Sequence, residues 1–596
     1  MRGTTGLAIA LATLIFWLVT VQRGRTTIYY LDSGGGSDAA AGTSEATAWK
    51  SLGMLARRSF APGDIIRLKR GEVWYEEMVL ASSGSPESPI VVEDYGDSEK
   101  PRPRLVGTAV AALNWEPVPG MTAIYRTVGN GIDAEPGLLL HRDLPRPPIA
   151  TLFLASAKGV ISRGAVALQL ENSYCNMQVT AVDGASNRIS GITFFRDPQR
   201  HWQADDGVEI RQADVHGRET SFTAALATSG LQTDPRGLTR PGDWYWDSAQ
   251  KAVYLFAESD PASGTRLAVL KTGIRLVNGH DLIIRNLDIH GFGETGVHLN
   301  GADSVILDDI GVGAIGFRGH KTAILLENSS NCIVRNCRVE SPLVCGIGIY
   351  SYDRPSRNNR IIDNHILASG AAAVILNTDS RETASLVTDN TIAANVVEGA
   401  NSLAYDSGGI YALNIGPGNI LSENTIVNGG SRSLRSAGIM IDGGVSPMVI
   451  RSNIAENNSL GGIVVSGAGH LIENNRLRRN GVSAWDSAQL VFFPVIDNPS
   501  GCTVRDNVME DGGGGNMVLV LKRSSLPQTP IVFDNNTYGA TAPLPFCLSE
   551  HEYCDRWVDF STWKLLTGQD SHSVFEDLRW RPGEKGAITG PLSLLL

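Results

Sequence analysis

From about residue 280 onward the chain repeats one arrangement of apolar and polar positions: a short apolar strand, an Asn or Asp, another apolar residue and a turn. Examples are Ile284-Arg285-Asn286, Leu307-Asp308-Asp309, Val334-Arg335-Asn336, Ile362-Asp363-Asn364, Thr388-Asp389-Asn390, Ser422-Glu423-Asn424, Glu473-Asn474-Asn475 and Arg505-Asp506-Asn507, ending at Asn535-Asn536. From Asn286 to Asn536 the mean spacing is about 28 residues, a period that signals a solenoid. Between these sites lies a second strand opened by small residues, as in Gly296-Val297-His298-Leu299, Ala323-Ile324-Leu325-Leu326, Gly346-Ile347-Gly348-Ile349, Gly409-Ile410-Tyr411-Ala412 and Gly438-Ile439-Met440-Ile441. Strand patterns recur and no helical period accompanies them.

Strands stacked about 4.8 Å apart place each recurring Asn over the next, where side-chain amides bond in a ladder along the axis. Leucine-rich and ankyrin-type repeats need a helix in each period, and the Gly, Asn and Ser between these strands do not supply one. The expected fold is all-β, a right-handed parallel β-helix with N- and C-terminal caps and a β-rich insert. The expected division is 1–26 as a signal peptide or N-terminal anchor, 27–108 as cap and first coils, 109–275 as insert, 276–540 as solenoid and 541–596 as C-terminal cap. The insert is read from the loss of period and from Trp244-Tyr245-Trp246-Asp247 followed by Val253-Tyr254-Leu255-Phe256, a strand, turn and strand.

Composition narrows the function. The 596 residues are 42% hydrophobic and 19% charged, with 65 glycines, which fits an ordered, turn-rich β protein. A net charge of −11 repels a phosphate backbone, so nucleic acid is not an expected partner, and an acidic glycan would need Arg and Lys gathered in its groove. The apolar run Leu7 to Val21 behind Arg2 reads as an export signal or uncleaved anchor, which places the protein outside the cytoplasm, secreted or periplasmic, and touching membrane only through that segment. Seven cysteines leave at least one thiol free; Cys547 and Cys554 can close a small loop, while Cys332, Cys337 and Cys345 lack metal-site spacing and read as buried small hydrophobes.

The chemically informative stretch runs from Tyr405-Asp406-Ser407-Gly408-Gly409-Ile410-Tyr411 to Gly438-Ile439-Met440-Ile441-Asp442-Gly443-Gly444. It resembles the parallel β-helix glycoside hydrolases of the xylosidase and fucosidase/xylanase kind, in the pectate-lyase-like superfamily, which carry an Asp-x-Gly-Gly-Ile-Tyr strand followed one coil later by a strand ending in Asp-x-Gly. The resemblance implies an exported enzyme acting on a polysaccharide or oligosaccharide, with Asp406 and Asp442 as the catalytic carboxylates. Met440 and Ile441 depart from the aromatic-aliphatic pair common at that place in the family. Glycoside cleavage needs one carboxyl to protonate the leaving oxygen and one to attack the sugar or activate water, about 5 to 9.5 Å apart. If Gly409 aligns with Gly438, Asp442 stacks on Leu413, and the pair forms only if the chain reverses at Ser407-Gly408-Gly409, as two glycines permit. Against this stands the reading in which Asp406 shapes a turn and Asp442 ends a strand.

The same register lines up Glu327, Tyr350, Asn377 and Asp442; with Asp353 on the adjoining loop and Tyr411, these are the candidate sugar-binding residues. No metal ligand set, phosphate-binding loop or cofactor motif is present, so no cofactor is expected. A lyase or uronate C5-epimerase is the alternative activity, with His320-Lys321 as base and cation, and it alone brings in calcium. A noncatalytic glycan-binding protein is the third reading.

Overall fold

The computed structural model describes residues 26–577 except 109–112, 128–135, 154–163, 171–172, 184–187, 196–206, 214–218, 226–233, 317–321, 379–380, 405–406, 431–434, 482–486, 496–497, 512–514, 524–528 and 552–553. Three sheets of 13 strands each wind around one core, parallel throughout except where Trp557–Val558 pairs antiparallel at the end of the second. Each coil contributes one strand to every sheet, and inward positions such as Leu282, Ile284, Ile289 and Val297 are fully or almost fully buried in a continuous apolar column. The coils begin within residues 28–106: Ile28–Leu31, Ile65–Lys69 and Ile90–Tyr95 lie in the same sheet as His280–Arg285.

The corner between the first and third sheets explains the sequence period. Asn364, Asn395, Asn424, Asn453, Asn475, Asn507 and Asn536 form one buried ladder. In it the Nδ2 of each residue donates to the Oδ1 of the next at 2.9–3.0 Å. The backbone N–H donates to the same oxygen. The second amide hydrogen goes to a main-chain carbonyl, as Asn424 to Ile392 O at 2.9 Å, so burial leaves no donor unpaired there. The residue before each Asn is left-handed: Asp363, Ala394, Glu423, Ser452, Asn474, Asp506 and Asn535 have φ of 55–59°. This turns the chain sharply enough to point the next side chain inward.

Three of the recurring asparagines belong elsewhere. Asn286 and Asn336 occupy the left-handed corner position itself, with φ of 59° and 55°, and reach outward to Asp94 and Asp308 at 2.8 Å. Their coils fill the ladder column with Leu287 and Cys337, and Cys337 N–H donates to Asn364 Oδ1 at 2.9 Å. Asn390 sits in a second, shorter ladder with Asn359 and Asn419. That ladder is headed by Cys332, whose N–H donates to Asn359 Oδ1 at 3.0 Å. Both cysteines are therefore small apolar residues at the head of a ladder, and burial pushes their thiols up to about 12.

The helix Phe560–Thr567 closes the far end. Its Trp563 is fully buried on Phe533 and Phe546. Asp570 terminates the long ladder, accepting from Asn536 Nδ2 at 3.4 Å, Trp563 Nε1 at 2.7 Å and Tyr538 Oη at 3.1 Å. Cys547 and Cys554 are disulfide-bonded beside this cap. Between Arg104–Val106 and Thr272–Val277 the strands leave the three large sheets. Among them Trp244–Asp247 pairs antiparallel with Ala252–Phe256. Leu138 and Leu140 of this insert pack on Ala314 and Leu343, which precede strands of the second sheet. Among the described residues no helix is long and apolar enough to cross a membrane, and residues 1–25, which carry the export expectation, lie outside them.

Candidate functional site

Six successive strands of the second sheet build the site: β1 Thr295–Asn300, β2 Thr322–Glu327, β3 Cys345–Ser351, β4 Val374–Thr378, β5 Ser407–Leu413 and β6 Ser436–Ile441. All pair parallel and in register. Inward residues such as Ile324, Ile347, Val374, Ile410 and Ile439 belong to the core. The alternate residues face out, and the insert rests near the start of the strands, so the exposed chemistry gathers at their C-terminal ends.

That edge carries one outward column. Asn300 pairs with Glu327, Glu327 with Tyr350, Tyr350 with Asn377 and Asn377 with Leu413. Asp442 follows Ile441, the partner of Ala412, and its N–H donates to Ala412 O at 2.9 Å, which sets it beside Leu413. The line Glu327, Tyr350, Asn377, Asp442 expected from the sequence is thus one surface.

Asp442 is only 6% exposed. Its Oδ2 accepts the phenolic proton of Tyr411, diagonally across from it, at 2.5 Å, and its Oδ1 accepts from Gly443 N–H at 2.8 Å. A short O–H to carboxylate bond is among the stronger hydrogen bonds a protein makes and fixes the carboxyl plane. Four coils away, Glu327 is held with equal care: His298 Nε2 is 2.9 Å from Oε2, and Asn300 Nδ2 donates to Oε1 at 3.1 Å. Tyr350 lies between, its ring stacked at 6.5 Å on Tyr352. Burial holds its phenol well above the usual tyrosine range, hence neutral. The Oδ1 of Asn377 is buried without a hydrogen-bond donor among the described residues. Asp353 stands off the column: its backbone N–H reaches Asn328 Oδ1 at 3.4 Å while its side chain is 74% exposed.

The reversal that would bring Asp406 to Asp442 is not there. Ser407–Leu413 is one extended strand, with Ser407 opposite Ser436 and Ala412 opposite Ile441. It carries Ser407 about 20 Å from Leu413, to the other end of the strand. The two glycines serve the packing instead: a Cβ at Gly409 would lie 2.4 Å from Ile426 Cγ2, and one at Gly408 2.9 Å from Met440 Cβ. Asp406 itself, with His320 and Lys321 of the alternative activity, lies outside the described residues. His298 and Asn300 were missed from sequence; the signal was available, since Asn300 stands one coil before Glu327 in the same alignment. Among the described residues no group of three His, Cys, Asp or Glu is arranged to hold a metal ion.

Residues 263–426 match the family described as the right-handed beta helix region. A lacto-N-biosidase of Bifidobacterium longum subsp. longum is 33% identical over 94 residues, 15% of this chain and 6% of that one, so the chain spans only a small part of this relative. The GH136 lacto-N-biosidase from Eubacterium ramulus superposes over 92% of this chain and 67% of its own, with 13% identity and a TM-score of 0.41. XylC in complex with xylose superposes over 92% of this chain and 86% of its own, with 11% identity and a TM-score of 0.46. With its family match and three 13-stranded parallel sheets, the chain is a right-handed parallel β-helix protein.

Proposed function

We propose that this protein is an exported glycoside hydrolase that acts on a polysaccharide or oligosaccharide at the C-terminal edge of the second sheet, with Asp442 as the carboxyl at the reacting centre. The observation that carries the reading is the Tyr411–Asp442 pair: a carboxylate on the outward face, fixed through both oxygens, beside a column of sugar-binding side-chain types. Fixed orientation is what a general base or nucleophile requires, because a carboxyl must meet the anomeric carbon or its water along one line. A carboxylate oxygen has two lone pairs, so one that accepts from a tyrosine can also meet a water or a sugar hydroxyl. The local likeness to a lacto-N-biosidase supports the same class of chemistry. Asp406 is not assigned the second role, since the strand that follows it runs away from Asp442.

Incubation with a panel of neutral and acidic polysaccharides, followed by mass analysis of products, tests the proposal. A gain of water at each cleavage, abolished by Asp442→Asn, is the expected result. Products with a new double bond mark elimination, and binding without change in chain length marks a noncatalytic protein; either overturns the reading. Loss of turnover in Asp406→Asn with full turnover in Asp442→Asn would overturn the assignment of Asp442.

A further inference from the structure

The group around Glu327 asks for a role of its own. Four rungs separate Glu327 from Asp442, about 19 Å along the solenoid axis, too far for the two carboxyls to share one glycosidic bond. Yet Glu327, like Asp442, is positioned through both of its oxygens. His298 and Asn300 orient its two oxygens, and Asn300 is itself fixed by Arg354 Nη2 at 3.3 Å, while Arg354 Nη1 donates to Asn278 Oδ1 at 2.8 Å. The result is a connected polar line from Asn278 through Arg354 and Asn300 to Glu327 and His298. The side chains of His298 and Glu327 remain 13% and 16% exposed, enough to meet a ligand at the surface.

Next to this line stands a sugar-sized apolar wall, the stacked rings of Tyr350 and Tyr352, the second of them 44% exposed. A carboxylate with oriented oxygens and a ring face are what a hydroxyl-rich ring satisfies, since each sugar hydroxyl donates one hydrogen bond and its C–H face covers an aromatic ring. The carboxylate of Glu327 repels a uronate carboxylate laid against it, which favours a neutral sugar at this point.

Building on the hydrolase reading, we infer that Glu327, His298 and Asn300, walled by Tyr350 and Tyr352, form a distal subsite for a neutral sugar, so that the substrate is an oligosaccharide chain laid along the solenoid axis. A pyranose unit advances a chain by roughly the step of one coil, and the gap from Glu327 to Asp442 therefore accommodates about four units.

The test uses the full chain and neutral β-1,4-linked xylose and glucose oligomers of two to six units. In the wild type kcat/KM rises at least about tenfold between three and five units. Glu327→Gln and Tyr352→Ala each lower kcat/KM on the six-unit oligomer by about tenfold and on the three-unit oligomer several-fold less, mainly through KM. Two variants are used because Tyr352 is surface-exposed and its truncation leaves the core untouched. Equal losses on long and short oligomers, or a flat wild-type profile, overturn the subsite. The hydrolase reading stands or falls on the polysaccharide panel, and if the wild type turns over none of these oligomers, saturation-transfer NMR with the six-unit oligomer judges the subsite by itself. Binding to wild type that Glu327→Gln weakens about tenfold supports it; binding that the variant leaves unchanged, or no binding, overturns it.

Discussion

Two polar columns run along the same solenoid, and they differ in kind. The buried ladder from Asn364 to Asn536 repeats one residue seven times, and each of the six steps between them makes the same amide bond. The outward column of the second sheet changes at every step: Asn300, Glu327, Tyr350, Asn377, Leu413 and Asp442 succeed one another along the same edge. The first is complete within the protein. The second leaves the Asn377 oxygen unsatisfied among the described residues and presents rings and carboxylates at the surface. Uniformity belongs to the scaffold, and departure from it locates chemistry.

The contrast is broken most severely at Asp442. Asp442→Asn keeps the shape of the side chain, and glycan turnover falls about 10²- to 10⁴-fold in a product-release assay, while the melting temperature shifts by only a few degrees. A change in the ladder has the opposite signature. Asn424→Ala leaves the backbone N–H of Asn395 and one hydrogen of its amide without their acceptor and takes the amide donor from the Ile392 carbonyl, and destabilises by about 3–4 kcal/mol in denaturant titration, with KM for surviving enzyme unchanged.

His470 sharpens the picture through pH. It is buried and neutral, accepting from Met448 N–H at Nδ1 and donating to Ser466 O at Nε2, and burial lowers its pKa to about 4. The unfolded chain holds this imidazole near 6.5, so the unfolded state binds more protons between those values. The contribution is therefore complete above pH 6.5 and is lost as pH falls toward 4, about 3 kcal/mol in all. Denaturation midpoints at pH 7 and pH 4.5 will differ accordingly, and His470→Asn will flatten the slope.

Tyr411→Phe removes one hydrogen bond to Asp442 and costs about 1.5–3 kcal/mol in kcat/KM, with little change in stability. The smallest effect lies at the ladder corner. Ala394 holds φ of 55°, a conformation that strains any residue with a Cβ, and Ala394→Gly raises stability by about 0.5 kcal/mol in the same titration.

Much of this scaffold was legible in the sequence. The apolar-polar-Asn triplets announced coils, and the small-residue strands announced the second sheet, because both depend on local pattern alone. What escaped was which Asn faces in. Asn286 and Asn364 look alike in their triplets, but one occupies the left-handed corner and the other the position after it, a shift of one residue that exchanges outside for inside. The alignment of Glu327, Tyr350, Asn377 and Asp442 was readable because in-register pairing carries an alignment from coil to coil. The expected reversal at Ser407-Gly408-Gly409 was not, since glycine permits a turn and a close contact equally, and the choice is made by Ile426 and Met440 packed against them from other strands.

The line of amides that ends on Asp570 also governs how the molecule comes apart. A coil in the middle cannot open without stranding donors on the coil before it and acceptors on the coil after it, whereas the terminal coil strands only one side. Loss of structure must then begin at an end and travel. The cluster of Trp563, Tyr538 and Asn536 around a single carboxylate latches one of those ends, so that opening from that side has first to break three bonds to Asp570.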